Sequence, residues 1–280
     1  MKQFFSPKEF AAALGVSEST VRRWVDGGTI NVSRTAGGHR RIELTDAIGF
    51  IRASGMPVRE PQLLGLAELD GTFDPAQRTD DPAQLLCAAL ERGDAVQVRA
   101  MLVSMYLAGH AVADLCDGLI APAMHKIGTF WEHRDDGIMI EHRATDVAIA
   151  ALNQLRTLLP AQTADAPVAL GGALPDDPYL LPSLMAATVV AAQGWRETNL
   201  GPQTPADVLI AAARDSQAQL VWLSISVDDV AVDQMRQVTR IADELRDDGV
   251  SIVVGGRGLP QPGQRNRTNL HEARSMTELA

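Results

Sequence analysis

The chain has almost no cysteine: Cys87 and Cys116 are the two present in 280 residues. So small a supply excludes a disulfide framework, and neither has metal-ligand spacing around it, which leaves each as a small buried residue on a helix. No apolar run reaches membrane-spanning length, and the N-terminus lacks the pattern of a secretory leader. A cytoplasmic location with no membrane partner is the resulting expectation. No nucleophile–base pairing or metal-ligand cluster is visible either, so an enzyme is not expected. What is present, 46% apolar and 21% charged residues, is an ordinary globular composition long enough for two or three domains.

The net charge of −10 is unevenly placed. Residues 1–55 carry eight Lys/Arg against five Asp/Glu, and the remainder 17 against 30. A basic head on an acidic body is the distribution expected where the head alone meets a polyanion, because phosphate neutralisation supplies most of the affinity for nucleic acid.

Residues 6–41 have the spacing of a winged helix-turn-helix. Ser6 caps a helix that starts at Pro7, and Phe10, Ala13 and Leu14 line one of its faces. Gly15 turns the chain. Ser17 then caps a second helix, with Val21, Trp24 and Val25 on its buried side and Ser19, Thr20, Arg22 and Arg23 on the other. Two short helices joined by a glycine turn, the second bearing arginines, place a recognition helix in the major groove. Gly27 and Gly28 close that helix, residues 29–33 alternate like a strand, and Gly37-Gly38 turns back into His39-Arg40-Arg41-Ile42. A basic hairpin tip suits phosphate or minor-groove contact. The stretches VSESTVRRW and RTAGGHRR resemble the DNA-binding domain of the MerR family. That resemblance implies groove or phosphate contacts from Thr20, Arg22 and Arg23, and wing contacts from Arg34, His39, Arg40 and Arg41.

Beyond a third head helix at 45–53, ended by Gly55-Met56-Pro57, residues 56–81 read as a linker with one short helix around 63–69 that lets the head reposition. Helical periodicity predicts four helices at 82–92, 95–107, 112–130 and 138–159, with Asp94 and Asp136 as caps and short connections that imply an antiparallel bundle. After Pro160 short strand-like runs at 168–170, 197–200, 220–224 and 251–254 alternate with helices at 181–193, 205–215 and 230–248. A fifth strand at 269–273 and a helical stub at 276–280 complete an open parallel sheet. Its ligand edge is expected where the strand carboxyl ends meet the bundle, around 171–179, 224–227 and 255–258.

A bundle followed by such a sheet is the layout of cobalamin-binding modules, and Trp131, followed by Glu141-His142, makes the likeness specific. The chain resembles the light-responsive CarH-type repressors. The resemblance implies a multidomain α and α/β protein: a MerR-type winged helix-turn-helix head (1–55), the linker (56–81), a four-helix bundle forming the upper chromophore cap (82–160), and a Rossmann-like five-stranded cobalamin-binding domain (161–280). It also implies that Trp131, Glu141 and His142 face the upper side of a corrin. Physically, an indole stacks on a planar ligand, while Glu141 and His142 offer hydrogen bonds or, at His142, a metal ligand.

The family's Asp-x-His-x-x-Gly falls on Asp177, Tyr179 and Pro182, so the Asp is kept and the cobalt-ligating His is not. The later Ser-x-Leu falls on Ser224-Ile225-Ser226, and Gly255-Gly256 is retained, as close backbone approach to a flat ligand requires. Pro175, Pro178 and Pro182 are expected to stiffen the first loop and prevent an early helix start. A phenol is a poor cobalt ligand near neutral pH, since its ordinary pKa is ~10. Three readings stay open: adenosylcobalamin without the usual lower His, another tetrapyrrole such as haem or a linear bilin (biliverdin), or no chromophore and control by protein contacts alone. His125 and His133 flank the motif. The expectation is a regulator, most simply a repressor, that binds operator DNA as a dimer or tetramer, its assembly set by chromophore state.

Overall fold

The computed structural model describes residues 3–34, 36–69, 81–227, 231–259 and 268–280. The chain forms two compact units: residues 1–111 with 118–160, and residues 112–117 with 161–280. Residues 70–80 of the expected linker and Val230 at the expected start of a helix lie outside the described residues.

The first unit begins with β1 (Phe4–Phe5), α1 (Pro7–Leu14), α2 (Glu18–Asp26), β2 (Ser33–Arg34), β3 (Arg40–Glu43) and α3 (Leu44–Ser54). Ser6 and Glu9 form a reciprocal capping box, and Gly15 ends α1 at a left-handed φ of 68°. Ser17 caps α2 by accepting from the Thr20 amide. The three short strands pair antiparallel in the order β1-β3-β2. Phe5, Phe10, Val21, Ile42, Ile48 and Ile51 make the head core. Trp24 and Val25 are half-buried rather than buried, because the Trp24 ring leans on Phe50 at 4.7 Å from the open side.

Residues 57–69 differ from a free linker. Two 3-10 turns, Pro61–Leu64 and Ala67–Leu69, pack on α1 and on α5, and Pro61, Leu64 and Leu66 are buried. The amides of Arg59 and Glu60 both donate to the Ala13 carbonyl. Burial of these leucines opposes repositioning of the head, each contributing about 1.5–3 kcal/mol.

The bundle consists of α4 (Pro82–Arg92), α5 (Ala95–Leu107), α7 (Ala121–Ile127) and α8 (Gly137–Arg156). Asp94 caps α5 through the Gln97 amide. The expected helix 112–130 is instead broken into α6 (Val112–Leu115), a π turn at Cys116–Ile120, α7, and a 3-10 turn at Phe130–Glu132. Pro122 has no amide for the carbonyl four residues back, and a π turn is one way a helix absorbs that loss. Asp136 precedes α8 but makes no side-chain cap, its carboxylate being held by Arg134.

The second unit is a five-stranded parallel sheet of β4 (Val168–Ala173), β5 (Arg196–Asn199), β6 (Leu220–Ser224), β7 (Ser251–Gly255) and β8 (Leu270–Ala273), in the order β5-β4-β6-β7-β8. Its helices are α9 (Leu180–Ala192), α10 (Ala206–Asp215), α11 (Ala231–Glu244) and α12 (Met276–Leu279). An aliphatic core that includes Val221, Leu223, Ile225, Ile210 and Ile241 lies against α10 and α11; a smaller one of Ala169, Leu220 and Trp222 lies against α9. The strand order reverses between β4 and β6, so the crevice that open α/β sheets use for ligands falls at Ala173 and Ser224. α6 packs on α9 and α12, and Asp117 caps α12 by accepting from Met276 and Thr277 amides at 2.8 and 2.9 Å.

The prolines of the first loop do not delay the helix. α9 starts at Leu180, before Pro182, because the first four amides of a helix have no partner to lose.

Candidate DNA interface and ligand-binding residues

The head presents its cations on one helix and one hairpin. Arg22, Arg23, Arg34, His39 and Arg41 are exposed, and Thr20 and Arg40 are half-buried. Their engagements differ. Arg22 pairs with Glu18 one turn earlier, Arg40 pairs with Asp26 at the end of α2, and Arg41 lies over the Phe4 ring at 5.7 Å. Arg40, expected as a wing contact, therefore also ties β3 to the recognition helix. The Thr20 hydroxyl is 2.8 Å from Ser17 Oγ and belongs to the N-cap. Arg23 and Arg34 have no ion-pair partner among the described residues. A cleft of about 570 Å³ opens beside the hairpin, lined by Phe4, Ser6, Glu9, His39, Arg40 and Arg41 among others.

In the bundle, Trp131 stands on the 3-10 turn Phe130–Glu132 and is 59% exposed. Gly137, the first residue of α8, is what brings that turn in: a Cβ there would lie 2.5 Å from the Trp131 nitrogen and 2.6 Å from the Phe130 carbonyl carbon. The sequence showed Gly137 only as part of a helix break. Arg134 braces the turn from outside, its guanidinium pairing with Glu91 and Asp136 and lying over Phe130 at 5.2 Å. The Arg134 hydrogen bond holds the Asp136 carboxyl below its usual range. On α8, Ile138 (61% exposed), Glu141 and His142 fall at positions i, i+3 and i+4, one face of the helix. On that face an exposed isoleucine thus stands beside a carboxylate and an imidazole, following the turn that bears the exposed indole of Trp131, a set that suits a planar ligand. His125 and His133 are exposed, His133 lying 3.6 Å from Glu132.

The residues expected at the sheet edge have mostly internal duties. Asp177 is fully buried: one oxygen accepts from the Tyr179 amide at 3.1 Å and the other from the Ser226 amide at 2.6 Å, which locks the first loop to the end of β6. Tyr179 precedes α9 and is 44% exposed. Gly255 and Gly256 make room for the protein itself rather than for a ligand. A Cβ on Gly255 would meet the Ala273 carbonyl oxygen at 2.4 Å, and one on Gly256, whose φ is 119°, the Ile225 carbonyl oxygen at 2.3 Å. Ser224 and Ser226, in contrast, are buried with hydroxyls that have no partner. Two orphan hydroxyls at the carboxyl edge are the feature there that fits a polar ligand group.

No group of three His, Cys, Asp or Glu among the described residues is placed to hold a metal ion. Burial pushes the Cys116 thiol far above its usual range. No helix among the described residues is long and apolar enough to cross a membrane.

Fold and surface together define a helix-turn-helix head joined to a helical bundle and a five-stranded parallel α/β domain. Residues 4–46 match the family of helix-turn-helix domains, and residues 83–156 match the B12 binding domain. None of the curated proteins matches the sequence significantly. Among solved structures, the chain is similar to the monomethylamine corrinoid protein of Methanosarcina barkeri, with a TM-score of 0.53 and 16% identity over 70% of this chain and 93% of that one. It is also similar to a cobalamin-binding protein from Desulfitobacterium hafniense, with a TM-score of 0.34 and 17% identity over 70% of this chain and 94% of that one. At 16% identity the likeness to the Methanosarcina barkeri protein establishes the fold alone.

Proposed function

We propose that the chain is a corrinoid-linked transcriptional regulator of the CarH type, a cytoplasmic repressor and not an enzyme. The observation that carries this reading is the pairing, in one chain, of an arginine-bearing recognition helix with a B12 binding domain that exposes Trp131 on one turn and His142 on the helix that follows. Arg23 and Arg34, without ion-pair partners among the described residues, neutralise operator phosphates or read base edges; Arg22, Arg41 and His39 flank them. Trp131 and Ile138 cover the ligand's upper face, and Glu141 and His142 hydrogen-bond at its rim. A bound alkyl corrinoid would supply a cobalt–carbon bond that visible light breaks. Trp131 and Ile138, exposed without a ligand, would be covered by one, and that difference in packing around α8 would change the number of heads that engage DNA together.

The test is a binding titration on duplexes enriched by in vitro selection, with and without adenosylcobalamin, in darkness and after illumination, and with particle mass measured in parallel. Arg23→Ala and Arg34→Ala are expected each to weaken binding and to lower the salt slope by roughly one counterion. Dark adenosylcobalamin is expected to raise the oligomeric mass and light to lower it. Unchanged DNA binding in both variants would remove the operator role. A mass and spectrum indifferent to adenosylcobalamin, but responsive to biliverdin, would replace the corrinoid with a bilin.

A further inference from the structure

The α/β unit offers a ligand its edge and nothing deeper. Gly171 of β4 and Trp222 of β6 are register partners at the point where the strand order reverses. Trp222 is 2% exposed, and a Cβ on Gly171 would sit 2.4–2.5 Å from two carbons of its indole, so the ring lies over the glycine. Around it α9 contributes Ala186, Ala187 and Val190, small enough to seat an indole between helix and sheet. The ring is also anchored by hydrogen bonds. Trp222 Nε1 donates to Ser183 Oγ at 3.2 Å, Ser183 is wholly buried and donates to Asn199 Oδ1 at 2.8 Å, and Asn199 in turn accepts from the Gly201 amide. A buried indole whose only polar atom is satisfied in this way is a fixed part of the core. The opposite face of the sheet is closed by aliphatic side chains, Val221, Leu223 and Ile225 meeting Ile210 and Ile241.

Above Trp222 lie two buried hydroxyls without partners. Ser224 follows Trp222 by two residues on β6, so the two share a face, and the Ser224 and Ser226 hydroxyls lack partners at 6% and 7% exposure. The loop between β4 and α9 brings no imidazole, and the buried Asp177 carboxylate holds it to the Ser226 amide.

Resting on the corrinoid reading above, we propose that this unit binds a corrinoid at the sheet's carboxyl edge without taking a nucleotide tail into the protein. A tail inserted between the sheet and α9 would meet Trp222, which fills that space. The ligand class is therefore a corrinoid that keeps its own base on cobalt, or one without a base.

The test compares cobalamin with cobinamide, which lacks the nucleotide tail, by spectroscopic titration of the full chain. The paramagnetic resonance spectrum of the reduced cobalamin complex is recorded alongside. The expected result is an affinity for cobinamide within about threefold of that for cobalamin. The cobalt spectrum should show splitting by one axial nitrogen, and that splitting should change when the base nitrogen of the cofactor is isotopically labelled. A preference for cobalamin of about thirtyfold or more, with splitting insensitive to that label, would overturn the proposal and leave the corrinoid reading standing. Binding of neither compound would overturn the corrinoid reading and this proposal with it.

Discussion

Gly137 sets where Trp131 stands, because the atoms that a side chain would meet there are backbone and cannot rotate away. Gly137→Ala must displace either the turn Phe130–Glu132 or the first turn of α8. A destabilisation of about 1–3 kcal/mol is expected, the usual cost of overpacking, together with weaker ligand binding. Urea denaturation and a cobalamin titration of the full chain measure the two effects. Gly49→Ala is the control: Gly49 is exposed in α3 with nothing within 4 Å of its would-be Cβ, and the change should stabilise the chain by about 0.5–1 kcal/mol. If both variants behave alike, the close approach at Gly137 has no consequence. Trp131, Glu141 and His142 were legible in the sequence as a spaced motif, whereas Gly137 was not, since a glycine at a helix break looks the same whether it turns a chain or makes way for one. The same ambiguity misled at Gly255 and Gly256, where the neighbour is the protein's own carbonyl rather than a ligand.

Between elements, the end of α3 is bound to the end of α5 through Arg52. Its guanidinium stacks on Tyr106 with Cζ 3.7 Å from the ring centroid and donates to the carbonyls of Tyr106, in the last turn of α5, and His110, just beyond it. A cation there also answers the helix dipole. Burial raises the Tyr106 phenol above its usual range, with Arg52 opposing the rise, so the ring stays neutral. Arg52→Ala is expected to cost about 1–3 kcal/mol, given a stacked cation and charged hydrogen bonds. Hydrogen exchange should also speed up across residues 61–69, and Arg52→Lys should recover only part of the loss, because an ammonium cannot stack flat on the ring. Exchange unchanged in the Ala variant would show that the buried leucines hold the head alone. The helices α4 and α5 were readable because Pro82, Gly93 and Asp94 start and stop them. Of the docked segment a short helix around 63–69 was legible but its docking was not, because its prolines and charges have the composition of a linker. The break in 112–130 was missed for the opposite reason, because apolar periodicity runs on through a π turn.

At the scale of the whole chain, the strand–helix alternation made the parallel sheet legible, yet the sheet unit is not a continuous stretch of sequence. Residues 112–117 belong to it although they lie within the helical half. Val112, Ala113 and Leu115 are buried, α6 packs on α9 and α12, and Asp117 accepts from the first two amides of α12, adding to its N-cap Ser275. Nothing in local spacing marks a four-residue helix as belonging to elements some 70 to 160 residues away, since that pairing is purely tertiary. A fragment starting at residue 161, where the change of pattern suggests a boundary, would expose the apolar sides of α9 and α12 and lose the cap. Two large aliphatic side chains at about 1.5–3 kcal/mol each and a cap at about 1 kcal/mol make the expected loss roughly 4–7 kcal/mol. That is a large fraction of the stability of an ordinary domain. Residues 161–280 expressed alone should therefore unfold at markedly lower urea than the same unit within the full chain, and bind a hydrophobic dye. Adding a peptide of residues 110–120 should restore part of the midpoint, and the same peptide carrying Asp117→Ala should restore less. A fragment as stable as the unit in the full chain would show that α6 is a passenger on the sheet unit rather than a part of it.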